Sequence, residues 1–398
     1  MEKRIHDREY NKGEWAELYV LLQLLGTGVL YAADGDLNRK EDSFLEVAKV
    51  VRRAADGAGL MEYVVRPASA AVEVRPCAAG ANDTGGALAG DSFAVVSMEE
   101  CRRAAQALFA YLVSHESGAK TMRAPIEVCD FAERIGVANP KAQSVPHAGD
   151  AFGGKADIVI ETRDARNGMT NSTGFSVKSQ FGSAATLFNA SPTAPLLYWV
   201  AHCDDALMAE FNGLRDARGN RGWFRCCQPF FDEHGLRVSF ARARHAGSFE
   251  RNLLFVREGM LEIIAACVRE RFIRGAAVSD VAGIVASVAE QNPMRYPPAV
   301  AAAVYEKAMK DFLYAAFSGM SMTKPWDGVE QVNGGYIVVK PDGDVLCYHA
   351  NDREEFRSYL FHTTVFEYVS AKKYGWSYIE KSDGEYLLPV NFSIRFKR

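Results

Sequence analysis

The sequence predicts a mixed α/β protein, with a central mixed sheet flanked by helices and a smaller β-containing unit toward the C-terminus. Three observations predict it. Two short β-branched runs, residues 155–161 and 174–180, flank a link rich in Asp, Asn, Gly and Ser, so they read as a hairpin. Residues 334–349 form a second hairpin, with Pro341-Asp342-Gly343 at its turn. Segments of helical periodicity lie before, between and after them.

In chain order, residues 11–25 read as a helix with Leu18, Leu21, Leu22 and Leu25 on its buried face and Gly26 and Gly28 beyond its end. Glu14 and Glu17 are three apart and share one side of it, where they suit either a site or a solvated first turn at the positive end of the helix dipole. Residues 43–55 carry a second helical pattern, and 62–67 and 71–76 read as short strands. The Gly- and Ala-rich stretch 78–90 predicts a surface loop. Helices follow over 98–114 and 125–135, then an irregular approach over 139–154. Past the first hairpin, residues 181–195 hold small polar side chains that suit phosphates, base edges or a plain loop. Residues 207–257 carry nine arginines with Trp223, Phe224, Phe230 and Phe231 between them. Arginine suits phosphate and guanine, and equally a solvated, partly paired surface. Three helical patterns, 258–274, 279–291 and 298–318, predict a packed helical layer, and 352–363 another helix; 386–396 ends the chain in strands.

The chain has 398 residues, enough for two to three domains, and a formal net charge of −4. That charge counts against a nonspecific nucleic-acid coat but leaves room for a local basic cleft. No apolar run is long enough for a bilayer, and the charged first residues lack a signal-peptide core, so a cytoplasmic protein is expected. The eight cysteines form no CxxC pair and no zinc spacing, which suits scattered reduced thiols. There is no phosphate-binding glycine loop, catalytic triad order or cofactor fingerprint, which counts against a small-molecule enzyme.

Side chains alternate along a strand, so Asp157, Val159 and Glu161 share one face of the first hairpin strand, and Ser176, Lys178 and Gln180 one face of the second. Where the two faces coincide, a carboxylate meets a lysine and further oxygen ligands. Such a set holds a hard divalent cation and positions a water, which is what phosphodiester hydrolysis needs. A solvated hairpin edge accounts for the same residues.

Three separated segments, in order, together resemble the HpaII family of type II restriction endonucleases. The first is Asn11-Lys12-Gly13-Glu14-Trp15-Ala16-Glu17 with residues 30–34. The second is Lys155-Ala156-Asp157-Ile158 with residues 174–183 and 186–191. The third is residues 310–313, then Trp326-Asp327-Gly328, 333–340 and 344–349. The resemblance implies a PD-(D/E)xK nuclease-like core and Mg²⁺-dependent cleavage of double-stranded DNA at CCGG. It implies that Asp157 is the metal-binding aspartate and Lys178 the catalytic lysine. Glu17 then joins the metal site from the first helix, with Glu14 as the alternative. One departure stands out: the motif's second acid, two before the lysine, is Ser176 here. Glu17, and after it Glu161, would supply the missing charge, with Gln180 or the Val177 carbonyl adding a neutral oxygen.

The same resemblance implies a homodimer on a palindromic target and a separate methyltransferase that protects the DNA of a prokaryotic host. Candidate DNA contacts are Ser179, Ser183, Thr186 and Asn189 after the hairpin, and Arg221, Arg225, Arg242 and Arg244 in the arginine run. The expected division is 1–319, a catalytic region with its helical layer, and 320–398, a β-rich unit that is either a recognition module or part of the same core. A nuclease with a different or longer target, and a binder of the same fold that has lost cleavage at Ser176, are the competing functions.

Overall fold

A computed structural model of the protein describes residues 4–53, 59–77, 93–114, 121–142, 156–164, 168–181, 186–192, 196–244, 247–329, 335–349, 353–370, 373 and 376–397, without the side chains of 220 and 221. The first elements are α1 (Lys12–Thr27), β1 (Val29–Ala33), β2 (Arg39–Arg53), β3 (Leu60–Arg66), β4 (Ala71–Cys77), β5 (Ala94–Ser97), α2 (Met98–Ser114), α3 (Ile126–Arg134), β6 (Ile158–Asp164) and β7 (Thr170–Ser179). Next come β8 (Thr186–Phe188), β9 (Leu196–Ala201), α4 (Asp205–Gly222), α5 (Phe224–Glu233), β10 (Arg237–Ala243), α6 (Ser248–Val256), α7 (Met260–Val268), α8 (Val281–Gln291) and α9 (Ala301–Phe317). The chain continues through β11 (Gly335–Val339), β12 (Val345–His349), α10 (Arg353–Thr363), β13 (Thr364–Glu367), β14 (Glu380–Ser382), β15 (Glu385–Val390) and β16 (Ser393–Phe396). The protein is of mixed α/β class, as the periodicities predict.

The chain forms two compact units. One comprises Met1–Ala184, Val332–Phe356 and Arg398; the other comprises Ala185–Gln331 and Arg357–Lys397. This division does not coincide with a boundary at 319/320, because β11 pairs in parallel with β7 and β12 in parallel with β1. Residues 335–349 are therefore part of the first unit's sheet.

That sheet has nine strands in the order β1-β12-β11-β7-β6-β2-β3-β4-β5, with β1 also pairing β2. One face carries Ile158, Ile160, Phe175, Val177, Ile337 and Val339 into a core shared with α1, α2 and α3. α1 begins in a capping box: the Asn11 side chain accepts from the Glu14 N–H at 3.0 Å, and Glu14 accepts from the Asn11 N–H at 2.9 Å. Gly26 lies inside this helix rather than beyond it. A Cβ there would meet the Arg102 backbone of α2 at 3.0 Å, so the close approach of the two helices needs glycine.

The helix expected over 43–55 is instead β2. Its buried residues fall on Ser43, Leu45 and Val47, then on Val50 and Arg52, because a bulge between Val47 and Lys49 shifts the register. That shift turns a step of two into a step of three, which imitates a helical repeat. The expected loop over 78–90 and most of the approach over 139–154 lie outside the described residues.

The second unit holds two smaller sheets, β10-β9-β15-β14 and β13-β16-β8, with α4 to α9. Its core is aromatic: Phe188 packs on Phe249, Phe312 and Phe392, with ring centroids 5.1–6.0 Å away.

At the start of β11, Gly335 has φ 144°, and a Cβ there would lie 1.9 Å from the Tyr348 carbonyl oxygen. Gly335→Ala is expected to lower the unfolding free energy by about 3 kcal/mol, read as a fall in the urea midpoint. An unchanged midpoint would show that the hairpin backbone shifts at little cost.

Candidate active site

Strand pairing brings the central residues together. β6 and β7 are antiparallel with Ile158 opposite Phe175, so Asp157, just before β6, comes beside Ser176. The Asp157 N–H donates to the Phe175 carbonyl at 2.9 Å. The Asp157 Oδ2 accepts from the Ser176 hydroxyl at 2.9 Å and from the Val177 N–H at 2.8 Å. The Lys178 ammonium donates to the Ser176 Oγ at 3.1 Å. A continuous chain of hydrogen bonds thus runs from lysine through serine to aspartate. Ser176 occupies the place between the two charges and bonds to both, since a hydroxyl both donates and accepts.

Ser176 and Lys178 face away from the α1 core. Tyr336 of β11, which pairs with Ser176 in register, lies on that same side. The Lys178 ammonium sits 5.5 Å from the Tyr336 ring centroid, close enough for a cation–π contact that limits where the long side chain goes.

Glu17 approaches from α1. It is half-buried, and its Oε2 accepts a hydrogen bond from the Ala142 N–H. Burial pushes its carboxyl up to about 7; the Ala142 bond and the charges of Arg52 and Lys141 oppose that rise, and the negative charge of Asp157 adds to it. Two carboxylates therefore interact in a partly dry place. Arg52 of β2 is the buried cation beside them. Its charge acts on both Glu17 and Asp157, and burial pulls its own pKa down.

The donor set fits a hard divalent cation. Among the described residues no group of three or more His, Cys, Asp or Glu side chains is placed to hold a metal. Two interacting carboxylates are nonetheless a sufficient protein share for Mg²⁺, which is commonly held by one or two carboxylates with water and phosphate oxygens completing the shell.

The profile of the HpaII restriction endonuclease family matches residues 11–396. The chain belongs to that family. The type II restriction enzyme HpaII of Haemophilus parainfluenzae is 26% identical over 386 residues, which are 97% of this chain and 98% of that enzyme. No solved structure matches the chain. As a member of the HpaII family the protein is a restriction endonuclease, a site-specific deoxyribonuclease acting on double-stranded DNA. No described helix is long and apolar enough to cross a membrane.

In this family member, the remaining expected site residues are spread out. Glu14 is committed to capping α1 through Asn11. Glu161 pairs with Lys49 at 3.0 Å, and Lys49 also reaches Glu62 at 3.2 Å. Four residues along a strand place Glu161 roughly 13 Å from Asp157, too far to share an ion. Gln180 is exposed, and its N–H is used by the Val339 carbonyl at 3.0 Å. Ser179 Oγ accepts from the Phe181 N–H at 2.9 Å in a local turn. Thr186 and Asn189 are exposed.

Of the arginines, Arg225 is exposed over the Phe224 ring, and Arg242 is exposed with Glu385 3.8 Å away. Arg244 is held by both oxygens of Glu380 at 2.8 Å, so it serves a structural pair instead of offering a free cation. Ser183 and the side chain of Arg221 lie outside the described residues. Sequence reasoning missed Arg52 and Tyr336. A helical reading of 43–55 hides Arg52, and Tyr336 reads as an ordinary aromatic of a hairpin.

The folded-state pKa of Glu17 exceeds its ordinary value of 4.5, so the folded protein holds that proton more tightly than the unfolded chain. This contribution to stability is complete below about pH 4.5 and is lost as pH rises through about 7. Without divalent metal, Glu17→Gln is expected to stabilise the protein at pH 8 by on the order of 2 kcal/mol and to change little at pH 4.5. Urea unfolding in chelator at the two pH values measures it. Equal effects at both would mean that Glu17 titrates normally.

Proposed function

We propose that this enzyme cleaves double-stranded DNA at CCGG with Mg²⁺, on a PD-(D/E)xK-type core whose working groups are Asp157, Glu17 and Lys178. The observation that carries the proposal is the hydrogen-bonded chain Lys178–Ser176–Asp157, with the charge of Asp157 acting on Glu17. A mixed sheet in which β2, β6 and β7 form an antiparallel set and β11 joins in parallel, with α1 on one face, supports that core. The CCGG target rests on the resemblance of the three sequence segments to the family.

Asp157 and Glu17 hold the cation. When bound, Mg²⁺ supplies Lewis-acid stabilisation of the scissile phosphate. Asp157 is fixed for this task by the Val177 N–H and the Ser176 hydroxyl, which leave its other oxygen available. Lys178 aligns the attacking water and stabilises charge developing on the phosphate oxygens. Ser176 keeps lysine and aspartate at a fixed separation, a task a second carboxylate would otherwise share. Glu161 and Glu14 take no part.

A palindromic target calls for two copies related by a twofold axis, one site per strand, so the enzyme works as a homodimer. Half-buried Ser179 and exposed Gln180, Thr186 and Asn189, with Ser183, supply backbone and base-edge contacts. Arg225 and Arg242, with Arg221, supply guanine or phosphate contacts. A methyltransferase of the same specificity protects the host DNA, and the system operates in a prokaryotic cytoplasm.

Plasmid digestion with Mg²⁺, followed by sequencing of the ends, tests the target. Discrete fragments ending within CCGG are expected, abolished when CCGG is methylated beforehand. Lys178→Ala is expected to slow cleavage at least about 10²-fold. Ends at a longer or different sequence would discard CCGG while keeping the nuclease.

A further inference from the structure

Arg52 is 3% exposed, a costly place for a guanidinium. Its Nη2 donates to the carbonyl of Asn139 at 3.0 Å and to the carbonyl of Pro140. Its Nη1 is buried with no hydrogen-bond partner among the described residues. Tyr63 stands opposite Val50 on the neighbouring strand, so it and Arg52 share a face of the sheet, and the Tyr63 hydroxyl is likewise buried without a partner among the described residues. The segment that Arg52 grips continues directly to Ala142, whose N–H bonds the Glu17 carboxylate. Residues 139–142 are therefore strapped at two points, by Arg52 through the carbonyls and by Glu17 through the amide.

We propose that Arg52 is a positioning residue of the metal site: by gripping the Asn139 and Pro140 carbonyls it fixes the strap whose Ala142 N–H orients the Glu17 carboxylate toward Asp157. The inference rests on Glu17 and Asp157 holding the cation. It predicts that geometry dominates over charge. A positive group beside two carboxylates repels an incoming cation, so a purely electrostatic neighbour would weaken metal binding, and its removal would tighten it. A guanidinium serves here because both bonds come from Nη2, which lies one bond further from the backbone than a lysine Nζ, so a lysine ammonium falls short of the two carbonyls.

The experiment is Mn²⁺ titration calorimetry on the full chain without DNA, for wild type, Arg52→Lys and Arg52→Met. Hydrogen exchange of a peptide covering 139–142 is measured on the same proteins. Wild type is expected to bind Mn²⁺, and both variants to bind it at least about tenfold more weakly, the loss usual for a residue that orients a ligand from behind. The 139–142 amides should exchange faster in both variants, while those of β3 and β4 keep their protection. Wild-type Mn²⁺ affinity in folded Arg52→Lys, or tighter binding by Arg52→Met, overturns the inference. Should Arg52→Met not fold, Arg52→Lys decides alone. Absence of Mn²⁺ binding in wild type would sink the Glu17–Asp157 reading instead. The exchange data still decide whether Arg52 holds the strap: unchanged 139–142 protection in Arg52→Lys refutes it.

Discussion

The antiparallel register between β6 and β7 pairs Ile158 with Phe175, and this pairing sets Asp157 beside Ser176. A slip of one residue would turn Ser176 and Lys178 into the core and bring Phe175 and Val177 out of it. The apolar face packed on α1 forbids that slip, because Phe175 and Val177 are buried there. Hydrophobic burial on one face of the sheet thus holds polar residues in register on the other. The parallel addition of β11 extends the same logic, placing Tyr336 beside Ser176 and under Lys178.

Charge is the other organising constraint. The half-buried Glu17 feels the negative charge of Asp157, and the rise of its carboxyl to about 7 expresses that burial and repulsion. Such an arrangement costs stability, and in the proposed site a bound cation would relieve it. The serine in place of an acid fits this balance. A third carboxylate at position 176 would add to the repulsion, whereas a hydroxyl bonds to both Asp157 and Lys178 without charge.

Much of this was legible in the sequence. The hairpins, α1 and the helices near 98, 126, 281 and 301 followed from period and turn chemistry, and alternation put Ser176 and Lys178 on one face. What stayed hidden was tertiary. The bulge in β2 disguised a strand as a helix and concealed Arg52 within it. The pairing of β11 with β7 joins residues about 160 positions apart, which no local pattern encodes, so the sequence left open whether this strand belongs to a separate C-terminal module or to the same core. Spacing could not decide between Glu14 and Glu17 either. The Asn11 capping box occupies Glu14 at the first turn, and the charge of Asp157 acts on Glu17, which is why the proposal takes Glu17. Glu161 shared a face with Asp157 by parity but stands a full four residues away, beside Lys49.

The most direct test of the proposed site is single-turnover cleavage of a CCGG duplex as a function of Mg²⁺ concentration, compared across Glu17→Gln, Asp157→Asn, Glu14→Gln and Glu161→Gln. The account predicts that the first two lose cleavage at every Mg²⁺ concentration, while the last two cleave with the wild-type metal dependence. Loss of cleavage in Glu161→Gln or Glu14→Gln, with Glu17→Gln still active, would contradict it and move the second metal-binding acid elsewhere.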